Sequence, residues 1–285
     1  MKKTRILAFV VDLLFSSRIE EATRSQGFEL ILVENPFFER PYGDTIPDKQ
    51  YAEHLIGPGA ELIDKVTLWQ PALIIFDLDN DLIPWRDWIS LLKSAPATRR
   101  IPVVCFGSHR EVEKFRMARE AGADKTVARL KFTKELNCLI SSYARKPDYK
   151  EIENTCDGKL SQLAIEGIEL FNHGEYFEAH EVLEKAWNDD QSLGRDLYRA
   201  IIQVAVAYLQ IERKNYKGAK KMFLRMRQWF DLYPDQCRGV SVSKLKEDAG
   251  NAHEELTKLG PERISEFNRE FFKPVLYGTS ANIKE

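Results

Sequence analysis

Gly174-Glu-Tyr-Phe-Glu-Ala-His-Glu-Val-Leu-Glu-Lys-Ala-Trp187 decides the reading of the second half of the chain. At about 100° per residue it winds as a helix with Tyr176, Phe177, His180, Leu183, Glu184 and Trp187 on one face. Glu178 and Lys185 point the other way, as solvent-facing charges should. The apolar face therefore carries an imidazole and a carboxylate at i and i+4, with Glu181 on its flank. Burying a polar group without a partner costs roughly 2–7 kcal/mol, and more for a charge. The stretch thus predicts either a satisfied buried network or a site.

Working outward, helical spacing continues on both sides: Leu160–Asn172, Leu193–Lys214, Tyr216–Leu232, Ser243–Leu259 and a short helix at Glu262–Phe271. The hinges at His173-Gly174, Asp189-Asp190 and Lys214-Asn215 are short, so successive helices should pack antiparallel. Ala200-Ile-Ile-Gln-Val-Ala-Val-Ala-Tyr-Leu209 holds a single polar residue, Gln203, and should be the centre of the bundle. Phe171–Trp187 together with Arg195-Asp-Leu-Tyr-Arg-Ala-Ile-Ile-Gln-Val-Ala-Val-Ala207 closely resembles domain-of-unknown-function family 309, over about residues 160–232. The resemblance implies a small all-helical bundle and no particular activity.

Three chemistries fit the His180 group. A structural network would pair His180 and Glu184 with Gln203, Arg195 or Arg199, the commonest role for a histidine on an apolar face. A metal site would use His180 and Glu184 as i, i+4 ligands, although neither His-Glu-x-x-His nor Glu-x-x-His is written here. A divalent metal is the one cofactor these residues allow, and none is required. A catalytic or ligand site would use His180, Glu181 and Glu184 for acid–base work. Its pocket would be Tyr176, Phe177, His180, Glu184, Trp187, Arg199 and Gln203.

The first half reads differently. Apolar runs at Arg5–Val11, Phe28–Val33, Ala72–Phe76, Ile101–Phe106 and Lys125–Ala128 are strands. Helical spacing fills the gaps at Ser16–Gln26, Gly59–Trp69, Pro84–Lys93, Val112–Ala121 and Thr133–Arg145, the last with Thr133 as N-cap. Such alternation predicts an α/β doubly wound parallel sheet, here followed by an all-α bundle. The landmarks Pro71-Ala-Leu-Ile-Ile-Phe-Asp77-Leu, Ile101-Pro-Val-Val-Cys-Phe and Ala118-Arg-Glu-Ala-Gly-Ala-Asp124 resemble, in order, the receiver domain of bacterial response regulators over about residues 3–145.

That resemblance implies an acidic pair holding Mg²⁺, a phosphoacceptor aspartate, a hydroxyl residue and a lysine, all at the carboxyl ends of the strands. Asp77 takes the acceptor position. The acidic pair falls on Val10 and Val11, with Asp12 nearby. The hydroxyl falls on Gly107, with Ser108 adjacent, and the lysine falls on Arg129. Phosphoryl transfer needs a metal bridging acceptor and phosphate, so the expectation is a phosphorylation-impaired pseudo-receiver retained for docking or dimerisation. A long insertion, Glu34–Pro58, rich in proline and aromatics, is expected to pack on the second domain or a partner.

The expected domains are residues 1–146, receiver-like with an insertion near 34–58, then a linker at 147–158, then the bundle at 159–285. With 285 residues, 44% hydrophobic, 30% charged and a net charge of −2, nothing draws the chain to nucleic acid or to a membrane. The basic stretch Lys214–Arg227 reads as a solvated helix face. Cys105, Cys138, Cys156 and Cys237 are scattered and read as reduced thiols of a cytoplasmic protein. No apolar run approaches the roughly 20 residues of a membrane span. The favoured function is regulatory or scaffolding, with a protein partner, a homodimer through the receiver-like domain, and a partner- or ligand-binding bundle. The alternatives are an enzyme at His180, Glu181 and Glu184, and a regulator phosphorylated at Asp77.

Overall fold

The computed structural model describes residues 4–33 and 58–278, so the expectation for the 34–58 insertion lies outside the described residues apart from Pro58. Five short strands form one parallel sheet: β1 (Arg5–Phe9), β2 (Glu29–Leu32), β3 (Leu73–Asp77), β4 (Val103–Gly107) and β5 (Lys125–Ala128), in the order β2-β1-β3-β4-β5. All pairings are parallel, with Ile6 opposite Leu73 and Ile74 opposite Val103. Parallel strands need crossovers, supplied by α1 (Leu13–Ser25), α2 (Pro58–Trp69), α3 (Trp85–Ser94) and α4 (Val112–Glu120), while α5 (Arg129–Tyr143) closes the unit.

Period-two alternation divides the strand residues between two cores. Ile6, Ala8, Ile75, Val104 and Phe106 pack with Ile19 of α1 and with Phe132, Leu136 and Ile140 of α5. On the opposite face Phe9 stacks on Phe76 at 4.6 Å, with Trp88 of α3 edge-on at 5.2 Å. Both faces of the central strands are buried, which is why these runs read as continuously apolar.

The chain divides into two compact units, Met1–Lys146 and Pro147–Glu285. The second contains α6 (Tyr149–Cys156), α7 (Gln162–Asn172), α8 (Tyr176–Asp189), α9 (Asp196–Glu212), α10 (Tyr216–Phe230) and α11 (Val242–Leu259). Helix α9 is the spine, buried at Leu197, Ala200, Ile201, Val204, Ala205 and Tyr208 among others. Helices α7 and α8 approach closely at Gly167, where an added Cβ would lie 2.6 Å from the Leu183 side chain. Phe171, Tyr176, Tyr208, Phe223 and Phe272 form a chain of ring contacts beneath.

Several expectations need correction. The 147–158 segment is not a plain linker: Asp148 caps α6, Ile152 is buried, and Cys156 is bonded to Cys237. Periodicity was too short there to register in eight residues. The same disulfide overturns the reading of four reduced thiols. It closes across 81 residues, a separation that hides pairing from the sequence, and it removes cysteine usage as an argument for a reducing compartment. The second half is not helical throughout, because β6 (Gln236–Cys237) and β7 (Val240–Ser241) form a hairpin whose turn places Arg238 and Gly239 at φ +54° and +80°. Residues 262–271 hold two short 3₁₀ turns, Ile264–Glu266 and Arg269–Phe271, instead of one helix. Thr133 is not a cap: α5 begins four residues earlier, and the Thr133 hydroxyl donates to the Arg129 carbonyl.

Candidate functional sites

Two places gather polar chemistry, one in each unit. The first lies at the carboxyl end of the sheet, where strand ends and the following loops converge, the usual crevice of open α/β sheets. β3 ends on Asp77, only 3% exposed. The Arg129 guanidinium, from the first residue of α5, donates through Nη2 to both Asp77 oxygens, at 3.0 and 2.9 Å. Its Nε donates to Asp79 at 3.0 Å, and its Nη1 lies 3.6 Å from Asp12. Behind it the guanidinium rests over the rings of Phe15 and Phe106, 5.0 and 5.8 Å from their centroids.

The two carboxylates are tuned in opposite directions. Burial pushes the Asp77 carboxyl above the usual aspartate range, outweighing the Asp79 amide and the Arg129 guanidinium that pull it down. Burial also raises Asp79, but there the Ser108 amide at 2.8 Å, Lys114 at 3.3 Å and Arg129 together hold it below the usual range. Asp12 is partly committed elsewhere, accepting the Leu14 amide as the cap of α1. Val10 and Val11 leave the acid-pair positions apolar, and Gly107 brings no hydroxyl. The cation at the centre of this cluster is therefore a side chain of the protein itself. Among the described residues no three His, Cys, Asp or Glu side chains are grouped to hold a metal ion.

Asp79 and Lys114 were missed by sequence reasoning. Asp77-Leu-Asp79 was a legible signal, since a residue two past a strand end can turn back towards that end. Lys114 is one turn into α4, with no local signature.

The second place lies on α8, α9 and α10. Here the sequence misplaced the α8 faces. The buried stripe is Tyr176, Ala179, Leu183 and Ala186, because the alanines allow close helix approach, and the stripe leaves His180 at the rim. The His180 side chain is 32% exposed and its Nε2 is 3.9 Å from Glu184 Oε2, whose own side chain is 55% exposed. Glu181 and Phe177 are exposed. Tyr176 is an aromatic core residue, its phenol pushed up to about 12 by burial and then by Glu212. The anticipated network linking His180 and Glu184 to Gln203, Arg195 or Arg199 is absent among the described contacts. Gln203 is 9% exposed, and its Oε1 has no hydrogen-bond partner.

Trp187 and Arg199 do come together, in an arrangement the sequence did not disclose. The Arg199 guanidinium lies 4.5 Å from the Trp187 ring centroid and 4.2 Å from that of Trp229 in α10, so an indole covers it from each helix. Arg195 also rests over Trp187, at 4.9 Å. Asp196 joins the group, accepting from Trp187 Nε1 at 3.2 Å and from Arg199 Nη1 at 3.4 Å. A third arginine, Arg238, is purely internal: it donates to Asp190, Ser192, Tyr198 and the Thr155 carbonyl. Gly194 leaves room for it, since a Cβ there would sit 2.5 Å from that guanidinium.

Against known proteins, the first unit is similar to the receiver domain of a sensor histidine kinase from Pseudomonas aeruginosa with magnesium coordinated in its active-site cleft. That match has 13% identity and TM-score 0.37, covering 50% of this chain and 98% of the other. A receiver domain from Rhodospirillum rubrum matches at 21% identity and TM-score 0.36, covering 51% and 98%. The phosphorylated cyanobacterial phytochrome response regulator matches at 15% and 0.36, covering 50% and 94%. No curated protein sequence matches the chain. Residues 164–222, from α7 into α10 of the helical second unit, match the sequence model of the domain of unknown function DUF309.

Proposed function

We propose that this is a regulatory or scaffolding protein whose receiver-like unit docks a partner without being phosphorylated. The observation that carries the reading is the Arg129 guanidinium, bonded to both oxygens of Asp77 and to Asp79. A phosphoryl group on Asp77 would have to displace this fork, and a bridging metal would have to occupy the volume next to a fixed positive charge.

The surroundings support docking. Val11, Leu13 and Leu14 after β1, Leu82 after β3, Val112 after β4 and Leu130 after β5 are all exposed, Leu13 and Leu14 by 73% and 74%. In a parallel sheet these positions share one end, so the plugged site is ringed by apolar side chains. Charges of both signs are interspersed (Asp12, Asp81 and Glu111 with Arg110, Lys114 and Lys131). A ring that is apolar and mixed in sign is suited to a second copy of itself, and a homodimer through this end is the assembly we propose.

Incubation with acetyl phosphate and Mg²⁺, read by intact mass, should give no adduct. A phosphoryl adduct that disappears in Asp77→Asn would sink the reading. In sedimentation, the wild type should be dimeric and Leu13→Glu/Leu130→Glu monomeric. A wild type that stays monomeric across micromolar concentrations overturns self-docking and leaves a different protein as the occupant.

A further inference from the structure

We infer that Arg199 is a preorganised receptor for a small oxyanion, a phosphate or carboxylate group, in the helical unit. The inference is independent of the docking reading for the first unit. A surface arginine with few partners is ordinary; one whose guanidinium rests against two indoles is not. Trp229 is 4% exposed, so one wall is core, and Trp187 on α8 supplies the other. The guanidinium is thereby held in one orientation, with its side chain 28% exposed. Of its five N–H donors, one has an acceptor among the described residues, Asp196, at 3.4 Å. That bond is to Nη1, so the edge formed by Nε and Nη2 has no acceptor among the described residues. This is the edge that Arg129 uses to hold Asp79 and Asp77. A planar fork of two parallel N–H groups matches an oxyanion bidentately. Stacking has already removed the side-chain freedom that binding would otherwise cost.

One further observation agrees. Arg195, one turn earlier and immediately before α9, adds a second positive charge over Trp187. Asp196 is the local competitor: it neutralises one charge and holds Nη1, but leaves the opposite edge untouched.

The test titrates the full chain with sodium phosphate and with sodium acetate, each against sodium chloride at matched ionic strength. Tryptophan fluorescence and thermal shift report binding, and Trp187→Phe assigns the fluorescence signal. Saturable binding above the chloride control is expected, weakened at least tenfold in Arg199→Lys, which keeps the charge and loses the fork. Asp196→Asn removes the competitor while keeping an acceptor for Trp187, and should tighten binding severalfold. Tighter phosphate identifies a phosphoryl compound as the natural ligand, and tighter acetate a carboxylic acid. Curves that superimpose on chloride, or an Arg199→Lys variant that binds as the wild type does, overturn the proposal. Should Arg199→Lys fail to fold, unchanged affinity in Asp196→Asn does so instead.

Discussion

Arg129 and Arg199 carry the same side chain to opposite ends. Arg129 is stacked on phenylalanine and has its fork filled by Asp77 and Asp79, so its charge is spent inside the protein. Arg199 is stacked on tryptophan, with one edge on Asp196 and the other without an acceptor among the described residues. Aromatic rings lie against the guanidinium in both cases. What differs is the carboxylate supply: three aspartates converge on Arg129, and one on Arg199. The comparison teaches that guanidinium geometry alone does not mark a binding site; the count of acceptors around it does.

The largest expected effect separates the two units that house these arginines. The Cys156–Cys237 disulfide closes a long loop in the second unit only. By chain entropy its loss should cost about 4.5 kcal/mol. Cys156→Ser/Cys237→Ser should therefore lower the denaturation midpoint of α7–α10, followed by hydrogen exchange, while the sheet of the first unit keeps its protection. Equal loss in both units would show that they do not unfold independently.

Breaking the filled fork comes next. Arg129→Ala leaves Asp77, buried, beside Asp79 with Lys114 as the one remaining cation bonded to the pair among the described residues. Removing one partner of a buried ion pair costs about 3–5 kcal/mol, and since Arg129 is itself a third exposed we expect about 2–3 kcal/mol in urea denaturation. Mg²⁺ should stabilise this variant and leave the wild type unmoved, because the cation position is then open. A wild type whose stability rises with Mg²⁺ would mean that Arg129 yields its place.

The two aspartates give the comparison a pH dependence of known sign. Asp79, held low, contributes stability that is present above the ordinary carboxylate pKa and lost as pH falls through its own lowered value. Asp77, raised by burial, contributes in reverse: fully present below the ordinary value, and lost as pH rises through its raised one. Asp79→Asn should accordingly flatten the acid limb of the stability profile, and Asp77→Asn should gain relative to wild type as pH rises from 4 to 7. Urea midpoints across that range decide it; parallel profiles for all three proteins would reject the assignment.

How much of this was legible in the sequence follows from how local each signal is. The alternating strands and helices of a parallel sheet, and the placing of Asp77 and Arg129 at its carboxyl ends, were readable, because strand and helix periods and the receiver landmarks fix the alignment. The bundle was readable from the apolar spacing of α9. Contacts made across long separations were not. Trp187 meets Trp229 through Arg199 across 42 positions, Cys156 meets Cys237 across 81, and Arg238 reaches back to Thr155, each fixed by tertiary packing alone. Helical wheels also cannot tell which of two adjacent faces goes inward when alanines are present. On α8 the wheel that put His180 inward was off by about one residue position, and Ala179 and Ala186 took the buried places.

That rotation carries the smallest prediction and the cleanest test of the α8 face. A buried His180–Glu184 network would lose about 1–3 kcal/mol in His180→Ala. At the rim, with 3.9 Å between Nε2 and Oε2 and more than half of the Glu184 side chain exposed, the pair belongs with surface i, i+4 pairs worth about 0.3–0.5 kcal/mol. His180→Ala should therefore shift the urea midpoint barely, and 0.5 M salt should erase the remainder. A loss above about 1 kcal/mol that survives salt would restore the buried-network reading. It would also mean that α8 packs one face further round, which would move Trp187 with it and open the stack over Arg199. The least disruptive substitution on this helix thus bears directly on whether the unfilled arginine fork is held as described.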